Sequence, residues 1–411
     1  MRYVLALACC LTLAAGDLAQ LRQLEEKHRM FELRAMLDQF GGNPAETLLY
    51  RAIATSRFGH ESEAISQFRA FLSTKPAPEM ERKARYELSS ALTRLGDYGQ
   101  AANELVAALR LTANGDVGRA DSENVRVLLQ SLSGVATQTV EFGPAVRVQA
   151  RRNELGIWGI PVEIDSQRGE WLLDTGANFS TVTESEARRM GLPIRNVQGY
   201  AQGYTQARNS TRLAVAGELR LGSARLHNVV LLVLADQALF LSPLKYQIHG
   251  ILGLPVMRSL GRVELSAQGT LTLDRDAKPL RAPSNLFFDG LNPIVQVVHS
   301  GHNLQMMLDT GASVTSLYPS IRDALAQWER YQLTSTRAEG FAGAGGAEQR
   351  EADLVPTIEL EVLGRAVYLQ RIGLLRKAPA GNAGLRDGIL GIDALAGGFR
   401  LDFRAMQFTL Q

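Results

Sequence analysis

The sequence predicts a multidomain chain: an N-terminal all-α helical repeat module followed by an all-β domain built of two similar halves. Three observations lead there. From about Asp17 to Thr112 the chain is rich in Ala, Leu, Glu, Arg and Gln at helical spacing, with few β-branched runs, the pattern of consecutive amphipathic helices. Farther on, short apolar runs such as 159–164, 171–173 and 229–234 are separated by Gly, Asn and Ser, the punctuation of β strands. That β region then repeats itself: Leu172-Leu173-Asp174-Thr175-Gly176-Ala177-Asn178 returns 135 residues later as Met307-Leu308-Asp309-Thr310-Gly311-Ala312-Ser313.

The bulk numbers agree with several globular domains. A chain of 411 residues exceeds one ordinary core, and 45% hydrophobic with 21% charged residues leaves enough apolar surface to bury. The 44 basic and 42 acidic residues give a net charge of +2 with no dense Lys/Arg block, so no nucleic-acid or anionic-lipid partner is expected.

Taken in order, residues 1–16 read as a signal peptide. Arg2 precedes an apolar run from Tyr3 to about Ala15, then come small residues and Asp17, a stretch too short to span a bilayer comfortably. Cys9 and Cys10 are the chain's two cysteines and both lie inside it, so a mature chain starting near Asp17 has no disulfide. That suits the periplasm or the outside of a bacterial cell; lipoprotein-type cleavage ahead of Cys9 or Cys10 is the minor alternative. No later run approaches ~20 uninterrupted apolar residues, so no transmembrane span is expected in the mature chain.

Residues 17–135 form the helical module. Arg57-Phe58-Gly59 through Ala64-Ile65 aligns with Arg94-Leu95-Gly96 through Ala101-Ala102 at an offset of 37, and Phe68 and Phe71 then match Leu105 and Ala108. A small residue at the helix–helix turn, an Ala at the close approach and large apolar residues a turn later resemble a tetratricopeptide repeat, whose period is about 34. A single repeat cannot bury its own apolar face, so the module is either a docking surface for a protein or peptide partner or a structural cap.

The β halves span 140–276 and 280–411. Besides the triplets, Gly199-Tyr200-Ala201-Gln202-Gly203 is echoed by Gly340-Phe341-Ala342-Gly343, and Gly250-Ile251-Leu252-Gly253 by Gly388-Ile389-Leu390-Gly391, 138 residues on. Both halves close on a strand-like ending, Leu271-Thr272-Leu273 and Phe408-Thr409-Leu410. Landmarks recurring in one order at nearly constant offset mark an internal duplication.

On these residues the region from about Val140 to Gln411 resembles an aspartic peptidase with two retropepsin-like halves fused in one chain, as in the bilobal pepsin-like enzymes. The resemblance implies a bilobal acid-protease-like fold and hydrolysis of a peptide or protein substrate, without metal or cofactor. It also implies Asp174 and Asp309 as the catalytic pair and Gly253 and Gly391 as structural residues behind the site. The glycines of the triplets, Gly176 and Gly311, are expected to take turn dihedrals that a Cβ forbids. The hydroxyls of Thr175 and Thr310 are expected to hydrogen-bond across the junction. Two carboxylates ~3 Å apart share a proton, so that one acts as base on water and the other as acid. Residues 177 and 312 are Ala, where pepsin-like enzymes more often place a hydroxyl; losing that donor raises the pair's pKa values, and activity at less acidic pH than pepsin is expected.

The glycine-rich segments fit two flaps, with Tyr200 and Gly203 in one and Phe341 and Gly343 in the other, against the alternative of ordinary hairpin turns. His299 and His302 are closely spaced, but Ser300-Gly301 between them reads as a hairpin turn rather than part of a metal site. The rival function is a non-catalytic protein that binds peptides in the same cleft or scaffolds an assembly through its helices.

Overall fold

A computed structural model describes residues 18–39, 45–143, 145–202, 208–274, 276–335, 339–343, 346–379 and 386–411. The segment 1–16, read as a signal peptide, lies outside the described residues. The chain divides into two compact units, one of residues 1–133 together with Phe287–Gly290, the other of 134–286 and 291–411.

The helical unit consists of α1 (18–26), α2 (Met30–Gln39), α3 (Ala45–Arg57), α4 (Glu61–Ser73), α5 (Pro78–Leu95), α6 (Tyr98–Arg110) and α7 (Arg119–Ser131). From α2 onward each helix packs on the next. The pairs α3–α4 and α5–α6 turn at Gly59 and Gly96, whose φ values of 81° and 80° are positive. That backbone region costs glycine nothing and lets a helix end within one residue. Asp97 then caps α6 by accepting from the Gln100 N–H at 3.1 Å. Ala64 and Ala101 are fully buried where helices approach, and Phe68, Phe71 and Leu105 fill the space beside them. Phe287–Gly290, which the sequence reading places in the second β half, belongs to this unit because its side chains find their partners among these helices.

In the other unit each half is a closed ring of six strands. The first runs Trp158–Ile164, Gln167–Leu173, Gly250–Leu252, Ser180–Thr183, Ala224–Leu234, Arg208–Leu221 and back to the start. The second repeats it as Asn292–His299, His302–Leu308, Gly388–Leu390, Ser316–Leu317, Arg365–Leu375 and Ala352–Val362. Closure leaves few unpaired strand edges. In both rings the Gly-Ile-Leu strand pairs parallel with the strand that ends at the Asp-Thr-Gly turn, Leu252 beside Leu173 and Leu390 beside Leu308. A five-stranded antiparallel sheet joins the halves, ordered Ala145–Gln149, Thr270–Asp274, Arg262–Ser266, Gly398–Asp402, Gln407–Leu410. Its central pair sets Arg262 opposite Asp402, and their side chains form a buried ion pair with Nε–Oδ2 at 2.9 Å.

Candidate active site

Each Asp-Thr-Gly turn starts where an apolar strand stops. The Asp174 N–H donates to the Leu252 carbonyl at 3.0 Å and the Asp309 N–H to the Leu390 carbonyl at 3.1 Å. The parallel strand thus fixes where each aspartate leaves the sheet. From the other side, the Leu254 N–H donates to the Ala177 carbonyl and the Ile392 N–H to the Ala312 carbonyl, at 2.9 and 2.8 Å. Gly253 and Gly391 sit between these contacts with no room for a side chain. A Cβ at Gly253 would lie 2.7 Å from the Ala177 carbonyl oxygen, and one at Gly391 would lie 2.6 Å from the Val314 carbonyl carbon.

The two turns lock through their threonines. The Thr175 hydroxyl donates to the Leu308 carbonyl at 2.6 Å and accepts from the Thr310 N–H at 3.0 Å. Reciprocally, the Thr310 hydroxyl donates to the Leu173 carbonyl at 2.7 Å and accepts from the Thr175 N–H at 3.0 Å. Both threonines are buried, so these four bonds are shielded from water and hold the halves in one register.

That lock brings Asp174 and Asp309 together. Both are half-buried, and their carboxyl groups hydrogen-bond each other. Burial raises the pKa of both, the charge of Asp309 raises Asp174 further, and Asp174 ends well above the ordinary carboxylate range. Backbone donors work in the opposite sense. The Gly176 N–H reaches Asp174 Oδ1 at 2.8 Å, and those of Gly311 and Ala312 reach Asp309 Oδ1 at 2.9 and 3.1 Å. The result is two carboxyl groups whose burial and closeness disfavour ionisation, while peptide dipoles stabilise the charged form.

Gly176 and Gly311 serve this arrangement for a reason other than dihedral freedom. Neither has a positive φ; what each supplies is room. A Cβ on Gly311 would stand 2.4 Å from Asp174 Cγ, and one on Gly176 would stand 2.8 Å from Asp309 Cγ. Each glycine makes space for the aspartate of the other half.

The flap residues are placed less completely. Tyr200 pairs with Ser210 in the hairpin of Arg195–Gln202 with Arg208–Leu221, next to a register shift between Asn196 and Gly199. The Arg208 guanidinium lies over its ring at 4.6 Å, a cation–π contact internal to the hairpin. Gly203 lies outside the described residues. Phe341 and Gly343 lie in the hairpin of Glu339–Gly343 with Gly346–Arg350, opposite Glu348 and Gly346.

Sequence reasoning missed a second tier behind the turns. Ser180 Oγ accepts from the Gly253 N–H at 3.0 Å, and Thr315 Oγ1 accepts from the Gly391 N–H at 3.1 Å while donating to Asp393 at 2.7 Å. The signal was present, since Ser180 and Thr315 are 135 residues apart, in the same register as the aspartates. His299 is buried, its Nδ1 2.8 Å from the Glu359 carbonyl and its Nε2 3.1 Å from Glu329. His302 stands opposite it across the Ser300-Gly301 turn, and among the described residues no cluster of three metal-ligating side chains occurs.

Residues 160–256 match the family model described as aspartyl protease, a span that holds the first Asp-Thr-Gly turn and its parallel strand. Among solved structures the chain is similar to a retropepsin-like aspartic protease from Rickettsia conorii, at 18% identity over 34% of this chain and 96% of that one, TM-score 0.24. It is also similar to Basic 7S globulin from soybean, at 12% identity over 64% of this chain and 93% of that one, TM-score 0.42. No curated protein sequence matches it. With two equivalent rings, each carrying an Asp-Thr-Gly turn against a parallel strand, the β-rich unit has a bilobal acid-protease-like fold. Among the described residues no helix is long and apolar enough to cross a membrane.

Proposed function

We propose that the chain is an aspartic endopeptidase that hydrolyses peptide bonds with a water activated by Asp174 and Asp309. The observation that carries this reading is the pair itself: two half-buried carboxyl groups, hydrogen-bonded to each other and both pushed toward the protonated form. Two carboxylates this close do not both ionise, so the single proton belongs to the pair. The charged member takes a proton from water, and the hydroxide so formed adds to the peptide carbonyl. The protonated member hydrogen-bonds the developing oxyanion. As the C–N bond breaks, a proton passes to the leaving amine. One water is consumed and one acid and one amine are released, with no metal or cofactor in the scheme.

The mature chain is read as exported, periplasmic or secreted, with 1–16 as its signal peptide. The two helix pairs 37 residues apart support a tetratricopeptide-like reading of the helical unit. N-terminal sequencing of the protein recovered from outside the cytoplasm is expected to begin near Asp17; an intact Met1 there would reject the signal peptide.

The test of the activity is cleavage of a mixed peptide library from about pH 3 to 8, the interval that brackets raised and unraised carboxyl pairs. Cleavage is expected to persist at pH values where unperturbed aspartates are fully ionised. It should decline as pH rises through the upper value of the pair, where the shared proton is lost, and as pH falls through the lower value, where the base is protonated. Ala312→Ser adds a hydroxyl donor beside Asp309 and stabilises the charged form, so its acid limb is expected at lower pH than that of the native chain. No cleavage at any pH would defeat the proposal and favour the rival, a non-catalytic protein that binds peptides in the cleft or scaffolds through its helices.

A further inference from the structure

The helical unit encloses four residues from far along the chain, and it does so with side chains placed by its own repeat. Arg57 and Arg94 hold the same position in the two helix pairs, 37 residues apart. Both are buried, with side-chain exposures of 6% and 1%. Both point their guanidinium groups at the segment Phe287–Gly290. Arg57 Nη1 meets Asp289 Oδ1 at 2.5 Å and the Phe288 carbonyl at 3.5 Å. Arg94 Nη1 donates to the Gly290 carbonyl at 2.6 Å, and its Cζ lies 5.5 Å from the Phe288 ring centroid. His28 Nδ1 adds a second contact to Asp289 at 2.9 Å. Phe287 enters an aromatic cluster, 5.4 Å from Phe31 and 6.1 Å from Phe58 between centroids.

These contacts have the chemistry of peptide recognition. Side chains of the helices bind main-chain carbonyls of the segment, an apolar slot takes one ring, and a charged corner takes one carboxylate. The corner is prepared for an anion. Glu87 holds Arg57 from behind at 2.7 Å, and Glu61 and Ser56 hold Arg94, at 2.9 Å and 2.5 Å respectively. Burial alone would favour a neutral Arg57, and Glu87 and Asp289 more than offset it. Without the Asp289 carboxylate the buried Arg57 would keep, among the described residues, Glu87 as its ionic partner, and loss of one partner is costly in a water-poor site.

We propose that the helical unit is a peptide-recognition module that holds Phe287–Gly290 as a resident ligand, and that a segment of like chemistry, two aromatics followed by an acidic residue and glycine, binds there in trans once the resident is weakened. The duplicated arginine supplies the argument. A turn serving only to close a helix pair needs no buried guanidinium, whereas here two helix pairs present the same cation to one segment, Arg57 at the Phe288 carbonyl and Arg94 two residues on at the Gly290 carbonyl. The resident is present at an effective concentration on the order of millimolar and keeps weaker competitors out, so the site is silent in the native chain.

The experiment uses the full chain and a fluorescein-labelled peptide of residues 284–291. Fluorescence anisotropy is expected to show at least tenfold tighter binding to the Phe287→Ala/Asp289→Ala double variant than to the native chain. The gain should disappear when Arg57→Met is added, or when the peptide carries Asn for Asp289. Hydrogen exchange across α3 to α6 is read alongside. No gain in binding with the helices still protected would overturn the proposal. Loss of that protection in the double variant would overturn it equally, because the segment would then be a part of the unit's core rather than its ligand.

Discussion

Asn at position 174 or at position 309, each alone, is expected to lower turnover of a cleavable peptide by roughly 10³-fold or more, the scale of a lost general acid or base. The geometry says why one substitution suffices. The reaction scheme needs one proton and two oxygen-bearing groups on either side of a water, and Asn neither takes up nor releases that proton at these pH values. It also fixes which function its amide presents to the partner, donor or acceptor, and so removes the exchange of roles that turnover requires. Because the proposed scheme uses the two aspartates as one unit, the double variant is expected to be little worse than either single one.

The same variants are expected to fold. Burial raises the folded pKa of both aspartates above the unfolded value, so the folded chain binds the proton more tightly than the unfolded one. Stability linked to the pair is therefore present at low pH and falls as pH rises through the folded pKa. Asn removes that liability, and thermal midpoints at neutral pH should equal or exceed the native value. Loss of turnover at an unchanged or raised midpoint would identify the pair as chemical rather than structural. If either single variant retained turnover within a few-fold of native, the shared-proton scheme would be wrong.

What was legible in the sequence follows from what was written twice. The Asp-Thr-Gly turns and the Gly-Ile-Leu-Gly strands recur at offsets of 135 and 138, and a duplicated β domain needs its two copies to meet somewhere. The structure has them meet through Thr175 and Thr310, residues already inside the repeated triplet. Ser180 and Thr315 were equally legible in principle, but they matter only through the amides of Gly253 and Gly391. That contact is invisible until the strand order is known. The role of Gly176 and Gly311 was misread for a similar reason. Sequence alone offers dihedral freedom as the default use of glycine, whereas here the constraint is an aspartate from the other half.

The placement of Phe287–Gly290 was not legible at all. Asp289 follows an apolar run typical of a strand, and its partner Arg57 lies 232 residues away. No local pattern announces an ion pair of that separation. The duplicated arginines were in view at the repeat offset, yet a guanidinium at the end of a helix is ordinarily a solvated favourable charge near the carbonyl end. Only the burial of both side chains distinguishes a binding role from a surface one.

Gly311→Ala is expected to lower kcat by about 10²-fold while leaving the fold intact, the size of effect that a displacement of about 1 Å at a reacting group produces. The added methyl would stand 2.4 Å from Asp174 Cγ and 2.6 Å from its Oδ2, well inside the ~3.5 Å at which carbon atoms come into contact. Asp174 is not a long, yielding side chain. It is held by the Gly176 N–H at 2.8 Å and by its hydrogen bond to Asp309, so relief of the clash must move the carboxyl group away from its partner. The backbone does not object, because φ at Gly311 is not positive, and alanine there even lowers the entropy of the unfolded chain. The expected signature is thus a fallen kcat with a thermal midpoint near the native one. Gly176→Ala, whose methyl would stand farther off at 2.8 Å from Asp309 Cγ, is expected to do the same more weakly. A Gly311→Ala variant as active as the native chain would mean that the two carboxyl groups do not sit against these glycines in solution, and the reading of the site as a dyad held in contact would fall with it.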